Sequence, residues 1–257
     1  MPTATRKNGE FCWINMITSA PDQARDFYAQ LLGWTYTEMP GMGHGIKVAG
    51  RNIGGLFDLD NPNNPPGTRA LIGVMVKTDS ADAMGAKFNA NGGKALPAFD
   101  IGPQGRMAIG YDPAGANIDL WEPKSMTGSD VDSRVHGAPS WFETITSDVS
   151  AAEKFYTTVF GWTAQTEPMA DGFDYTTFFL DDLPVAGMLA IRPEMGVLKS
   201  HWGVYFTVDD VDASVKTAEK LGAEICVPAR DIPDVGRFAG ITSPQGITFY
   251  TIKYGQS

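Results

Sequence analysis

The chain has 257 residues, 43% of them hydrophobic and 19% charged, an ordinary globular composition with material for two cores of about 125 residues each. Thirty acidic against 20 basic residues leave a formal net charge of −10, which excludes nucleic acid or an anionic membrane as expected partners, because neutralising phosphate needs a basic surface. Cys12 and Cys226 form no CxxC pattern and read as reduced, buried thiols of a cytoplasmic protein; Met1 to Lys7 has no apolar segment, and no run approaches membrane-spanning length.

The first expected strand covers 11–18 and leads into a helix. Ser19 and Asp22 have capping-box spacing, and Pro21 falls in the first turn. Ala24, Phe27, Tyr28, Leu31 and Leu32 recur as one apolar helical stripe, and Gly33 ends it as a left-handed cap. Short strands are expected near 34–39, 45–49 and 52–57. His44, on the Gly-rich stretch between the first two, reads as a solvated loop residue, with a lid role as the alternative. After a loop over 58–69 a second strand, 71–77, precedes a helix that begins after Asp79 and stops at Gly92-Gly93. Strands near 94–101, 104–111 and 116–121 follow.

From residue 139 the chain repeats itself. Trp141 to Tyr156 echoes Trp13 to Tyr28 at an offset of 128, and Phe160-Gly161-Trp162 echoes Leu32-Gly33-Trp34. Asp231 and Arg237 echo Asp100 and Arg106 at an offset of 131. The second helical stripe is Ala152, Phe155, Tyr156, Val159 and Phe160; strands near 162–168, 173–180 and 184–190 precede strand 202–208, a helix after Asp209, and strands near 225–231, 235–242 and 247–253. Each copy is thus a pair of βαβββ modules. The expected fold is α+β, with four such modules forming two incomplete barrels, helices outside and a ligand cavity in each concave side. Domains are expected at 8–123 and 139–257, with the polar stretch 124–138 as a flexible linker.

Two motifs carry a family resemblance: Trp-x-Asn/Glu…Phe-Tyr-x-x-x-Leu/Val-Leu/Phe-Gly-Trp in both copies, and Asp112-Pro113-Ala114-Gly115-Ala116-Asn117-Ile118-Asp119-Leu120-Trp121. They resemble the vicinal oxygen chelate superfamily, which includes glyoxalase I, extradiol dioxygenases, and fosfomycin and bleomycin resistance proteins. The resemblance covers nearly all of both halves and is nearest to bacterial two-domain glyoxalase-like proteins described as hydroxylases. It implies tandem glyoxalase-like domains and, in metal-dependent members, cavity-facing ligands on the first, fourth, fifth and eighth strands. Matched to the first, fifth and last of these strands, this chain has Trp13 and Trp141, Gly73 and Gly203, Asp119 and Tyr250. None is histidine, and the chain's three histidines, His44, His136 and His201, cannot build a His-rich site. No cofactor is therefore expected; a divalent metal (Fe, Mn, Ni or Zn) on unusual ligands, with glyoxalase or dioxygenase chemistry, is the alternative.

Side chains two apart on a strand share a face, so Glu143, His201 and Tyr250 can converge in copy two, where copy one has Asn15, Leu71 and Asp119. A carboxylate and an imidazole in a semi-apolar cavity suit proton transfer, with Glu143 as base and His201 as acid or orienting group. The competing reading gives Glu143 a buried hydrogen-bond partner and lets His201 cap a strand end. Trp141, Trp202, Tyr205 and Met188 are candidate wall residues for an apolar or aromatic ligand, with Asn15 and Asp119 as polar contacts. Arg237 either holds an anionic group or pairs with Asp231 to pin a hairpin. The expected function is binding of a small, apolar or aromatic molecule by a monomer or homodimer, with isomerase-, lyase- or hydroxylase-like acid–base chemistry in copy two. Non-catalytic sequestration of the bleomycin-resistance type is the alternative.

Overall fold

Strand β1 (Phe11–Thr18) shows the alternation that builds both sheets: Ile14, Met16 and Thr18 are buried, and Trp13, Asn15 and Ile17 between them are half-exposed. In the computed structural model, which describes residues 6–62, 64, 66–169, 172–195 and 198–255, copy one continues with α1 (Pro21–Leu32), β2 (Thr35–Met39), β3 (Gly43–Val48) and β4 (Arg51–Asp58). Its second module comprises β5 (Leu71–Lys77), α2 (Ala81–Ala90), β6 (Lys94–Ala95), β7 (Phe99–Ile101), β8 (Gly105–Ala108), β9 (Gly110–Tyr111) and β10 (Asp119–Pro123). Copy two begins with β11 (Pro139–Thr146), α3 (Val149–Phe160), β12 (Thr163–Pro168), β13 (Asp174–Leu180) and β14 (Leu183–Ala190). It ends with β15 (His201–Thr207), α4 (Val211–Lys220), β16 (Glu224–Ile232), β17 (Gly236–Thr242) and β18 (Thr248–Tyr254). The strand orders are β2-β3-β4-β1-β5-β10-β8-β7 and β12-β13-β14-β11-β15-β18-β17-β16, one pattern used twice, with β6 and β9 as a separate pair. Each sheet curls into a half-barrel, as the four-module reading requires.

Contacts gather the chain into two compact units. One holds the residues through Trp13, Gly73–Gly128 and Trp141–Trp202; the other holds Ile14–Ile72, Ser129–Ser140 and the residues from Gly203 on. Within the first, the Trp162 indole donates to the Gly9 carbonyl at 3.0 Å, Lys87 Nζ donates to the Val159 carbonyl at 2.8 Å, and Phe88 meets Phe155 edge-on. Within the second, Trp34 donates to the Gly137 carbonyl at 2.8 Å and Tyr28 stacks on Trp34. Gly9 and Gly137 are twins, both at positive φ; a Cβ on Gly137 would lie 2.2 Å from the Leu32 carbonyl. The repeated Gly-Trp motif thus fastens each copy's first module to the lead-in of the other copy. Tyr156, of the Phe-Tyr motif, donates to Asp112 Oδ2 at 2.8 Å and accepts from the Trp202 indole at 3.0 Å. Burial pushes both the Asp112 carboxyl and the Tyr156 phenol above their ordinary ranges.

Several local expectations need correction. Pro21 occupies N1, so the cap residue is Ala20, which makes no side-chain capping bond; Ser19 lies one residue too early. The other helices have side-chain caps: Asp148, Ser80 and Asp210 accept from the N–H groups of Ala151, Ala83 and Ala213. His44 lies on β3, with its Nε2 2.9 Å from Arg25 Nη1, rather than on a free loop. Cys226 is exposed; Cys12 is buried, which raises its thiol to about 12. The 124–138 stretch is tied down: Lys124 and Met126 N–H groups both donate to the Gln104 carbonyl, and Val131 and Ala138 are buried.

Candidate functional site

In copy two, α3 fixes which sheet face is which. Its Tyr156 packs on Phe178 and Trp202, so the residues alternating with these, Tyr175, Thr177 and His201 among them, point to the concave side. Glu143 lies there opposite Gly187, only 4% exposed. Tyr175 Oη donates to Glu143 Oε2 at 2.9 Å and accepts from Trp141 Nε1 at 3.0 Å. An indole N–H can only donate, so the Tyr175 proton must point at Glu143, and the relay presents Glu143 with a donor aimed at its ionised form. Gly187 makes the relay possible: a Cβ there would fall 1.9 Å from Tyr175 Oη. Beside the relay is a hollow of about 110 Å³, lined by Gln165, Glu167, Met169, Tyr175, Thr177 and Phe179.

His201 begins β15, the strand next to β11 in sheet order, and its Nδ1 sits 2.8 Å from the Lys199 carbonyl. A carbonyl accepts, so Nδ1 carries the hydrogen and Nε2 is a donor only in the imidazolium form. In the other unit, Tyr205 pairs in register with Tyr250, their rings stacked at 4.5 Å, and Phe238 lies 6.1 Å from Tyr205. These three also face away from the helices, since Phe249 and Phe206 pack toward Trp34, Tyr28 and Phe27.

Two expected wall residues, Trp202 and Met188, lie on the helix side instead, and so does Arg237. Trp202 and Tyr205 are three apart on one strand and take opposite faces; Trp202 joins Tyr156 and Phe11 in the core. Met188 pairs with Thr144, one step out of phase with Gly187. Arg237 grips α4: its Nε and Nη2 each reach Asp212 at 2.9 Å, and Nη1 reaches Asp231 at 3.2 Å. Arg106 repeats this with Asp82 at 2.8 and 3.1 Å and Asp100 at 3.4 Å. The Asp82 and Asp212 carboxyls are held below their usual range by these guanidinium groups. Sequence reasoning missed these helix partners, although Asp82 and Asp212 follow their caps at the same spacing. It also missed Tyr175, whose signal is an asymmetry: register places Gly43 at its position in copy one, where a Cβ would be 2.3 Å from the Leu56 carbonyl.

Copy one has a different interior. Asn15 lies opposite Gly55, where Glu143 has Gly187. Cys12, Met75 and Trp121 form a buried cluster against which Trp13, Ile101, Met107 and Met126 pack, and the Trp121 indole donates to the Met126 carbonyl at 2.9 Å. Asp119, 6% exposed, accepts from Asn117 Nδ2 at 2.8 Å and Gly110 N at 3.3 Å, both at Oδ1. Burial outweighs these two bonds and raises its carboxyl to about 7. At the positions that resemblance assigns to a metal, Asp119 is the one ionisable oxygen donor of carboxylate type, and both its bonds at Oδ1 come from N–H groups. Among the described residues no three His, Cys, Asp or Glu side chains gather as a ligand set.

A family profile described as Glyoxalase/Bleomycin resistance protein/Dioxygenase superfamily matches residues 11–120 and again 139–250. CFP32 of Mycobacterium tuberculosis (strain CDC 1551 / Oshkosh), whose name marks it as a candidate glyoxylase, is 33% identical over 247 residues, covering 94% of this chain and 93% of its own. The anthracycline biosynthesis protein DnrV of Streptomyces peucetius is 36% identical over 133 residues, 46% of this chain and 48% of its own. Among solved structures, the Mn(II)-bound glyoxalase from Novosphingobium aromaticivorans superposes with a TM-score of 0.66 at 17% identity, covering 96% of this chain and 82% of that one. No helix among the described residues is long and apolar enough to cross a membrane.

Proposed function

Because this chain belongs to the glyoxalase/bleomycin resistance protein/dioxygenase superfamily, we propose that copy two binds a small, flat, largely apolar organic molecule and moves a proton on it, with Glu143 as the base. The observation that carries this reading is the relay from Trp141 through Tyr175 to a buried Glu143 above the Gly187 gap. A buried carboxylate held by a directed phenol is preorganised to take a proton from a bound C–H or O–H. His201 supplies the return proton or orients the ligand. Copy one has Asn15 at the position of Glu143. The relative named for anthracycline biosynthesis supports a polycyclic aromatic ligand. In this reading the domains are 8–123 and 139–257, and the protein works in the cytoplasm as a monomer or homodimer.

The test starts with a thermal-shift screen of flat aromatic compounds, since a ligand at 100 times its Kd adds about 2.7 kcal/mol to stability. Hits are then followed by NMR in D2O for exchange of ligand hydrogens. Exchange that Glu143→Gln removes, with binding kept, supports the base. Binding without any exchange leaves sequestration as the function. Exchange untouched by Glu143→Gln overturns the assignment.

A further inference from the structure

We propose that the hollow beside the relay takes the ammonium head of an organic cation, with Glu167 as its counter-ion and the Tyr175 ring as its floor. This rests on the reading of copy two as the ligand site and adds the charge and orientation of what it binds. At about 110 Å³ the hollow is well below the roughly 300–1,000 Å³ of a pocket that encloses a whole drug-sized molecule, so it receives one end of a ligand. Among the described residues that line it, Glu167 is the one ionised side chain, and none is basic. Gln165 Nε2 donates to Glu167 Oε1 at 2.7 Å and steadies the carboxylate. Pairing of β12 with β13 sets Glu167 directly opposite Tyr175 and Gln165 opposite Thr177. Side chains so placed lie about 4.5–5.5 Å apart at Cβ, close enough for the carboxylate and the ring to meet the same head group.

Gln165, Thr177, Gly187 and Glu143 form one row across β12, β13, β14 and β11. The Tyr175 side chain lies over Gly187 and reaches Glu143, so its ring joins the hollow to the base. An ammonium is attracted to the carboxylate by charge and to the ring face by its quadrupole. An anionic head would meet Glu167 on the wall and Glu143 behind the ring, and both repel it. Comparison of the copies supports the same sign. Register gives Met39, Gly43 and Lys47 at the copy-one positions of Glu167, Tyr175 and Phe179. The carboxylate and both rings therefore occur only in the copy that has Glu143, and the other copy carries an ammonium of its own. One binding direction follows, with the charged head at Glu167 and the uncharged body across Tyr175 toward Glu143.

Benzyltrimethylammonium and the neutral benzyl alcohol are the probes, titrated while the 15N signal of the Trp141 indole, the donor to Tyr175, is followed. The cation should shift that signal and bind about tenfold more tightly than the alcohol. Glu167→Gln should cost the cation about fivefold in Kd, the worth of an exposed ion pair, and added salt should bring wild type toward the variant. Glu219→Gln, the same loss of charge at an exposed position of α4, should leave Kd unchanged, which separates the local carboxylate from the net charge of the chain. Near-UV circular dichroism confirms that each variant is folded. Equal binding of the two probes, or a folded Glu167→Gln with the affinity of Glu219→Gln, overturns the cation assignment and leaves copy two as a ligand site. No response of Trp141 to either probe overturns both.

Discussion

Replacing Asp119 by asparagine should stabilise the protein, and only above a defined pH. The folded-state carboxyl is raised to about 7 by burial, against an unfolded value near 3.9. A carboxyl raised on folding binds its proton more tightly in the native state, so wild type loses stability as pH climbs from about 4 to about 7 and levels off beyond. A gap of about three pH units corresponds to about 4 kcal/mol at the plateau. Asparagine keeps an oxygen for Asn117 Nδ2 and Gly110 N and carries no charge at any pH. Urea denaturation of both proteins at half-unit steps from pH 4 to 8.5 gives the difference, in which the carboxyls held low by arginine, Asp82 and Asp212, cancel. The variant's advantage should be flat near pH 4, grow by about 1.4 kcal/mol per unit through the window, and then saturate. A pH-independent difference, or a variant less stable than wild type at pH 8, would refute the burial argument.

Gly187→Ala places a methyl 1.9 Å from Tyr175 Oη, so it should cost about 1–3 kcal/mol in denaturation and abolish the ligand-induced thermal shift. Trp162→Phe leaves the Gly9 carbonyl without its indole donor and should destabilise by about 1–3 kcal/mol, measured the same way, without changing a ligand's Kd once folded. Arg237→Met releases α4 from β17 and should lower Tm, while ligand affinity by calorimetry stays at the wild-type value, because this guanidinium faces the helix. Tyr175→Phe removes the proton aimed at Glu143, and ligand hydrogen exchange followed by NMR in D2O should slow while the fold is kept.

The duplication made the fold legible. The stripes Ala24 to Leu32 and Ala152 to Phe160 are the buried residues of α1 and α3, and both strand sets appear in one order. Period-two alternation predicts that Glu143, His201 and Tyr250 share a face. It could equally have shown that Trp202 and Met188 are out of phase with them. What the sequence could not supply is contact between elements far apart in the chain. Tyr156 finding Asp112, or Arg237 preferring Asp212 on α4 to the hairpin alone, depends on which helix covers which sheet. Tyr175 was hidden for a related reason: its importance lies in the gap at Gly187, and a missing side chain leaves no motif.

The reciprocal tryptophan clasps have a consequence for how such a protein assembles. Trp34 holds the lead-in of copy two and Trp162 that of copy one, so each half carries a hook and an eye that only the other half meets. A chain ending after the first half should therefore recruit a second molecule of itself and elute as a pair from a sizing column. Mixing separately made halves should favour the crossed partnership. Tandem fusion would then have changed the stoichiometry of this embrace without altering its geometry.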